Sequence, residues 1–107
     1  IQNSLISEGC NIEGHIDFSV LFAGVTIEPG AVVRDSIIMP NTTIKKGAVV
    51  EYAIVGEDCV IGENVKVGAR PESIEDKDTW GVAVIGHGVT VSDNAEIKPK
   101  AMISADV

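Results

Sequence analysis

Between residues 21 and 67, large aliphatic residues stand at Leu21, Ile27, Val33, Ile38, Ile44, Val50, Val55, Ile61 and Val67. The intervals are 6, 6, 5, 6, 6, 5, 6 and 6, so every third position recurs after 17 residues. An amphipathic helix repeats near 3.6 residues and a half-buried strand repeats at 2. A step of six nested in seventeen fits neither by itself. It predicts a three-sided solenoid, with one short strand per side and three sides per coil. The second coil spans 21–37, the third 38–54, and a fourth opens at 55. Residues 4–20 form an irregular first coil. The triplets Ser4-Leu5-Ile6, Ser19-Val20-Leu21, Ser36-Ile37-Ile38 and Ala53-Ile54-Val55 mark one corner on successive coils.

Two more registers accompany the aliphatic one. The residue four past each aliphatic is expected to face inward and to be small. It is Cys10, Val25, Ala31, Ile37, Thr42, Ala48, Ile54, Cys59, Val65, Val89, Ala95 or Ala101, and none is charged. The residue three past, on the six-residue sides, is expected to turn a corner with a left-handed backbone. It is Gly, Asn or Asp everywhere except Lys100, and these types enter that region most easily. The pattern breaks after Val67. The stretch GARPESIEDKDTWG, residues 68–81, holds the chain's single Trp and much charge. It predicts a protruding loop at about 68–82, taking the place of a third side. The period resumes at Ile85, Val91, Ile97 and Ile103.

Composition narrows the picture. The chain is 45% apolar but only 4% aromatic, so the core must be Val, Ile, Ala and Leu. A net charge of −8, from 16 acids against 8 bases, argues against a general nucleic-acid surface. No apolar run approaches a membrane span. One domain, 1–107, accounts for the length. The start at Ile1, without Met, reads as a fragment or a processed chain.

The units Ile27-Glu28-Pro29-Gly30-Ala31-Val32, Ile61-Gly62-Glu63-Asn64-Val65-Lys66 and Ile85-Gly86-His87-Gly88-Val89-Thr90 resemble the hexapeptide repeat of left-handed parallel β-helices. That resemblance supplies the hand, since the general crossover rule favours the right-handed sense. Longer strings carry a closer likeness. Asn3-Ser4-Leu5-Ile6-Ser7-Glu8-Gly9-Cys10, Ser19-Val20-Leu21-Phe22 and Val33-Arg34-Asp35-Ser36-Ile37-Ile38-Met39-Pro40 resemble the C-terminal domain of bacterial glucose-1-phosphate adenylyltransferases (ADP-glucose pyrophosphorylases). The likeness covers most of 3–67 and, more loosely, 83–107.

The resemblance implies an all-β, left-handed β-helix that serves regulation and oligomerisation, joined in the full-length enzyme to an N-terminal nucleotidyltransferase domain absent here. The full-length family enzyme is a cytoplasmic tetramer under metabolite control. It makes ADP-glucose and pyrophosphate from ATP and glucose 1-phosphate for glycogen synthesis. Mg²⁺ and ATP belong to its catalytic domain, so this fragment is expected to hold no cofactor or metal and to be inactive alone. Its expected partners are its own catalytic domain, further copies and a small phosphorylated effector, with no nucleic acid and no membrane. The effector lysines of plant-type relatives align here with Glu57 and with Gly86 or His87, so a site of that type does not carry over. Two other readings remain open. One is a hexapeptide acyltransferase. The other is the β-helix of another sugar-nucleotide pyrophosphorylase or of a non-catalytic sister subunit.

Few residues are candidates for chemistry. His15 and His87 are the chain's two histidines, too few for a three-His zinc site, and His87 points outward by register. Cys10 and Cys59 fall in the inward small register three coils apart, about 14 Å, which predicts buried free thiols. Arg34, Lys45 and Lys46 are candidate effector ligands. Against that, Arg34 stacks between Asp17 and Glu51, and Lys45 on Glu28, so cross-strand pairing explains them as well. Lys98 with Lys100 is a weaker pair. Phe22 and Met39 share one outward place on adjacent coils, beside Pro40, and suggest a contact surface. Trp80 either joins that surface or packs back on its own coil.

Overall fold

The computed structural model describes residues 3–73, 78 and 80–107. It is an all-β solenoid of about five coils with three parallel sheets, consistent with the left-handed β-helix expected of hexapeptide repeats. The first sheet comprises β1 (Leu5–Ile6), β4 (Val20–Leu21), β7 (Ile37–Ile38), β10 (Ala53–Val55), β13 (Ala83–Ile85) and β16 (Met102–Ile103). The second holds β2 (Asn11–Ile12), β5 (Thr26–Ile27), β8 (Thr43–Ile44), β11 (Val60–Ile61) and β14 (Thr90–Val91). The third holds β3 (His15–Asp17), β6 (Val32–Arg34), β9 (Val49–Glu51), β12 (Lys66–Val67) and β15 (Glu96–Ile97). Strands of two or three residues cannot persist alone. Each is held by parallel hydrogen bonds to one or both neighbouring coils, such as Val20 N–H to Ser36 O at 3.0 Å and Thr26 N–H to Thr42 O at 3.0 Å.

The core is the predicted one. Leu21, Ile27, Val33, Ile38, Ile44, Val50, Val55, Ile61 and Val67 are all fully buried. The β-branched Val and Ile side chains, with Leu21, fill a narrow three-sided interior that holds no aromatic ring. All ten expected corner residues, Lys100 included, have φ between 55 and 80°.

Two expectations fail. Ile37 and Ile54 do not face inward; each is 37% exposed. On the five-residue step the small inward residue lies three past the aliphatic, not four, so Ser19, Ser36 and Ala53 take that place and are buried. A shift of one residue reverses the face a strand residue presents. The corner before this side is turned by Phe18, Asp35 and Tyr52, with φ of 46, 49 and 49°.

The loop does not replace a third side either. Strand β12 pairs with both β9 and β15, so the third side of that coil is intact. The chain leaves at the corner after it and rejoins the first sheet at β13, where Ala83, Val84 and Ile85 match Ala53, Ile54 and Val55. Gly68 makes the exit. Its φ is 72°, and a Cβ there would run into Glu51 O. Within the loop, Pro71–Ser73 form one 3-10 turn. Residues 74–77 and 79 of the expected loop, Lys77 among them, lie outside the described residues, as do Ile1 and Gln2.

Among the described residues, no helix is long and apolar enough to cross a membrane, and no group of three or more His, Cys, Asp or Glu residues could hold a metal ion.

Candidate functional site

The richest cluster of polar contacts sits where the third side meets the loop. Arg34, at the end of β6, and Glu51, at the end of β9, are register partners. Glu51 is nearly buried, and its Oε2 accepts from Arg34 Nη1 at 3.4 Å and from Arg70 Nε at 3.1 Å. The hydrogen bond to Glu51 is also what raises the Arg70 pKa most. Asp17 is the other register neighbour of Arg34, but that pairing is not made, and Asp17 Oδ1 is buried without a hydrogen-bond partner. Arg70, at the start of the loop, shares the Glu51 carboxylate with Arg34.

Two more contacts close the loop's base. Trp80 Nε1 donates to Ala69 O at 2.7 Å, and its ring meets Tyr52 edge-on with centroids 5.5 Å apart. Lys100 Nζ donates to Asp78 O at 3.1 Å. Trp80 thus lies back on its own coil. Burial, then the neighbouring Asp35 carboxylate, pushes the Tyr52 phenol above its ordinary value.

Lys45 and Lys46 follow β8 at the opposite end of the third side. The expected Lys45–Glu28 ion pair is absent; Glu28 Oε1 instead accepts the backbone N–H of Lys46 at 3.1 Å. A carboxylate one coil away caps the corner's free donor, which is worth more than a screened surface pair. Lys45 and Lys46 sit on the corner before β9 (Val49–Glu51), and Arg34 lies at the other end of that side, beside Glu51. The structure does not bring the three candidate effector ligands into one cluster.

A better-formed basic hollow lies nearby. A cavity of about 230 Å³ is lined by Lys66, Gly68, Ala69, Glu96, Ile97, Lys98 and Pro99. Its lysines are 32 residues apart and are brought together by the register of Lys66 with Glu96. The likeness of Ala83-Val84-Ile85 to Ala53-Ile54-Val55 carries this register in the sequence, and the pairing of Lys98 with Lys100 overlooked it.

Phe22, Met39 and Pro40 fall on the corner after the first sheet. Phe22 is 38% exposed, while Met39 and Pro40 are half-buried. Both thiols are free. Cys59 is buried, and its Sγ donates to Gly86 O at 2.9 Å; burial pushes its pKa up. Cys10 is only half-buried, because its coil has no neighbour on one side within the described residues, and its Sγ donates to Phe22 O at 3.2 Å. His15 and His87 are exposed, and neither lines the cavities described here.

This geometry is that of a hexapeptide-repeat scaffold, and the chain belongs to the family of GlmU-like C-terminal hexapeptide domains, whose pattern matches residues 1–92. Within that class, it is 49% identical over 88 residues to glucose-1-phosphate adenylyltransferase of Bacillus thuringiensis (strain Al Hakam). The enzymes of Bacillus mycoides (strain KBAB4) and Bacillus anthracis match at the same identity. These are the enzymes whose C-terminal domain the three strings resembled. The alignment covers 82% of this chain and 22% of the relative, so the chain spans about a fifth of the length of the curated relatives it matches. The acetyltransferase domain of PglB from Neisseria gonorrhoeae FA1090 covers 98% of this chain and 48% of its own, with a TM-score of 0.43 and 18% identity. That likeness is too weak to bear on function.

Proposed function

We propose that this chain is the regulatory and oligomerisation β-helix of a glucose-1-phosphate adenylyltransferase. The observation that carries the reading is the 49% identity over 88 residues to enzymes of that activity, confined to about a fifth of their length. The full-length protein makes ADP-glucose and pyrophosphate from ATP and glucose 1-phosphate, with Mg²⁺ and ATP held by an N-terminal catalytic domain. The β-helix docks on that domain and joins copies into a cytoplasmic tetramer.

A small phosphorylated effector is best seated at the hollow lined by Lys66 and Lys98, where Ala69, Ile97 and Pro99 add apolar surface and Glu96 leaves a net positive lining. Arg34 is committed to Glu51, and Lys45 and Lys46 lie on an open corner.

The test is an ADP-glucose assay on the full-length protein and on residues 1–107 alone. The full-length protein is expected to turn over and the fragment to be inert. Synthesis by the fragment, or none by the full-length protein, overturns the reading. With sugar phosphates as titrants, Lys66→Ala with Lys98→Ala should weaken activation about 10-fold or more, while Lys45→Ala with Lys46→Ala should not.

A further inference from the structure

The outward column of the first sheet is apolar on every coil. Leu5, Val20, Ile37, Ile54, Val84 and Met102 stand in unbroken register. Leu5 is 72% exposed, Met102 80%, and Ile37 and Ile54 37% each. The corresponding columns of the other two sheets mix in polar residues: Asn11, Thr26 and Thr43 on one, His15, Lys66 and Glu96 on the other. Five strand spacings make the apolar column about 24 Å long. Phe18 and Val82 extend it at one border, 55% and 44% exposed, and Phe22 extends it at the other. The exposed apolar surface is on the order of 800 Å², one partner's share of a standard protein interface. A solvated domain rarely leaves that much uncovered.

We propose that two copies of this chain meet through this face, with antiparallel solenoid axes, about a dyad that runs along the strands between Ile37 and Ile54. This operation pairs the coils in reverse order and keeps the strands of the two sheets aligned, the usual geometry for stacked sheets. Ile37 then faces Ile54 of the second copy, Val20 faces Val84, and Leu5 faces Met102.

The border residues fit the same dyad. Phe22 faces Gly86 of the second copy and Met39 faces Gly56, so a large side chain meets a position without one. At Gly86 the surface is hollow: a cavity of about 260 Å³ is lined by Val84, Gly86, Met102, Ile103 and Ser104. A cavity of about 150 Å³ already accepts benzene, so the phenyl ring of Phe22 has room. Among the described residues that face each other no like charges meet, because Asp35 faces Tyr52 and Lys100 faces Asn3. The alternative dyad, along the solenoid axis, sets Asp35 against Met39 and Phe18 against Phe22, which buries a carboxylate on an apolar chain.

The inference deepens the oligomerisation role proposed above and rests on it only in requiring a partner for the solenoid. Its test needs no substrate. Sedimentation equilibrium of the 107-residue chain is expected to show a dimer at about 100 μM. Ile37→Glu, on an outward position, should weaken it about 100-fold or more with the circular dichroism unchanged, while Thr26→Glu on the neighbouring side should leave it intact. Leu5→Cys with Met102→Cys, about 24 Å apart within one chain, should oxidise to a covalent dimer, and Leu5→Cys alone should not. A chain that stays monomeric at about 1 mM, a dimer indifferent to Ile37→Glu, or cross-linking by Leu5→Cys alone overturns the proposal. A face that becomes protected only within a longer polypeptide, as monomer, assigns it to that polypeptide and overturns the proposal too. Failure of the dimer leaves the nucleotidyltransferase reading standing, and absence of ADP-glucose synthesis leaves the dimer standing.

Discussion

Ser36→Ala is the sharpest probe of how the corners are held. The serines of the repeated triplets form a ladder. Ser19 N–H donates to Ser4 Oγ at 3.1 Å, and Ser36 N–H donates to Ser19 Oγ at 3.2 Å. Ala53 N–H donates to Ser36 Oγ at 3.2 Å, while Ser36 Oγ donates to Arg34 O at 2.7 Å. The Ser19 and Ser36 hydroxyls thus accept from the next coil and donate two residues back along their own, to Asp17 O and Arg34 O. Ser36 is 4% exposed, so water does not replace it readily. Removing the hydroxyl deletes two hydrogen bonds at about 1 kcal/mol each and leaves a buried N–H to be repaired, which sets the expected loss at about 2–3 kcal/mol. One coil on, where Ala53 lacks a hydroxyl, Ala83 N–H turns to Tyr52 O at 3.2 Å. Asp35 holds the same left-handed backbone as Tyr52, so Asp35 O is the acceptor that can rescue the variant. Urea unfolding followed by circular dichroism measures the difference. A loss below about 0.5 kcal/mol with an unchanged denaturant slope refutes the ladder as a source of stability. The reciprocal variant Ala53→Ser extends the ladder by one rung and should gain up to about 1 kcal/mol.

Three further predictions follow from single contacts. Gly68 has φ 72° and a Cβ there would run into the backbone oxygen of Glu51, whereas Gly88 has φ 71° and open space around it; Gly88→Ala should cost about 1 kcal/mol in urea unfolding and Gly68→Ala clearly more, and equal losses would refute the clash. Glu51→Gln removes the carboxylate shared by Arg34 and Arg70, whose side chains are 34% and 48% exposed; urea unfolding should show a small, solvent-screened loss that shrinks as salt is raised, and a loss indifferent to salt would refute the ion-pair reading. The Cys59 thiol lies above its ordinary value of 9.0 because burial disfavours the thiolate. The unfolded chain therefore releases this proton first, and stability should fall as pH rises past 9 by at most about 1.4 kcal/mol per unit. Cys59→Ala should lack that slope below pH 10, under the range where Tyr52, also raised from 10.0, begins to contribute.

The six-residue sides were legible in full, because their physics is local. An inward aliphatic needs bulk, and a left-handed corner needs Gly, Asn or Asp, so sequence and geometry carry the same signal. The five-residue side was not. Its corner uses Phe18 and Tyr52 in left-handed conformation, which no residue preference points to, and its inward small residue comes one position early. A rule taken from the six-residue sides therefore sent Ile37 and Ile54 indoors. The charged cluster was half legible. Register places Arg34 between Asp17 and Glu51, but only Glu51 is paired, and it also accepts from Arg70 at the start of the loop, a contact outside the period. The same five-residue step that misled the inward reading has a structural consequence. It gives one side of the solenoid a serine or alanine corner in place of a second aliphatic, turning Ile37 and Ile54 out to join Leu5, Val20, Val84 and Met102 in one apolar column. A coil with six residues on all three sides would carry 18 residues; the 17-residue coil here makes one side unlike the other two. A three-sided scaffold with three equal faces has no preferred docking side. The 17-residue coil makes the three faces unequal, and the dimer proposed above uses the one that is apolar throughout.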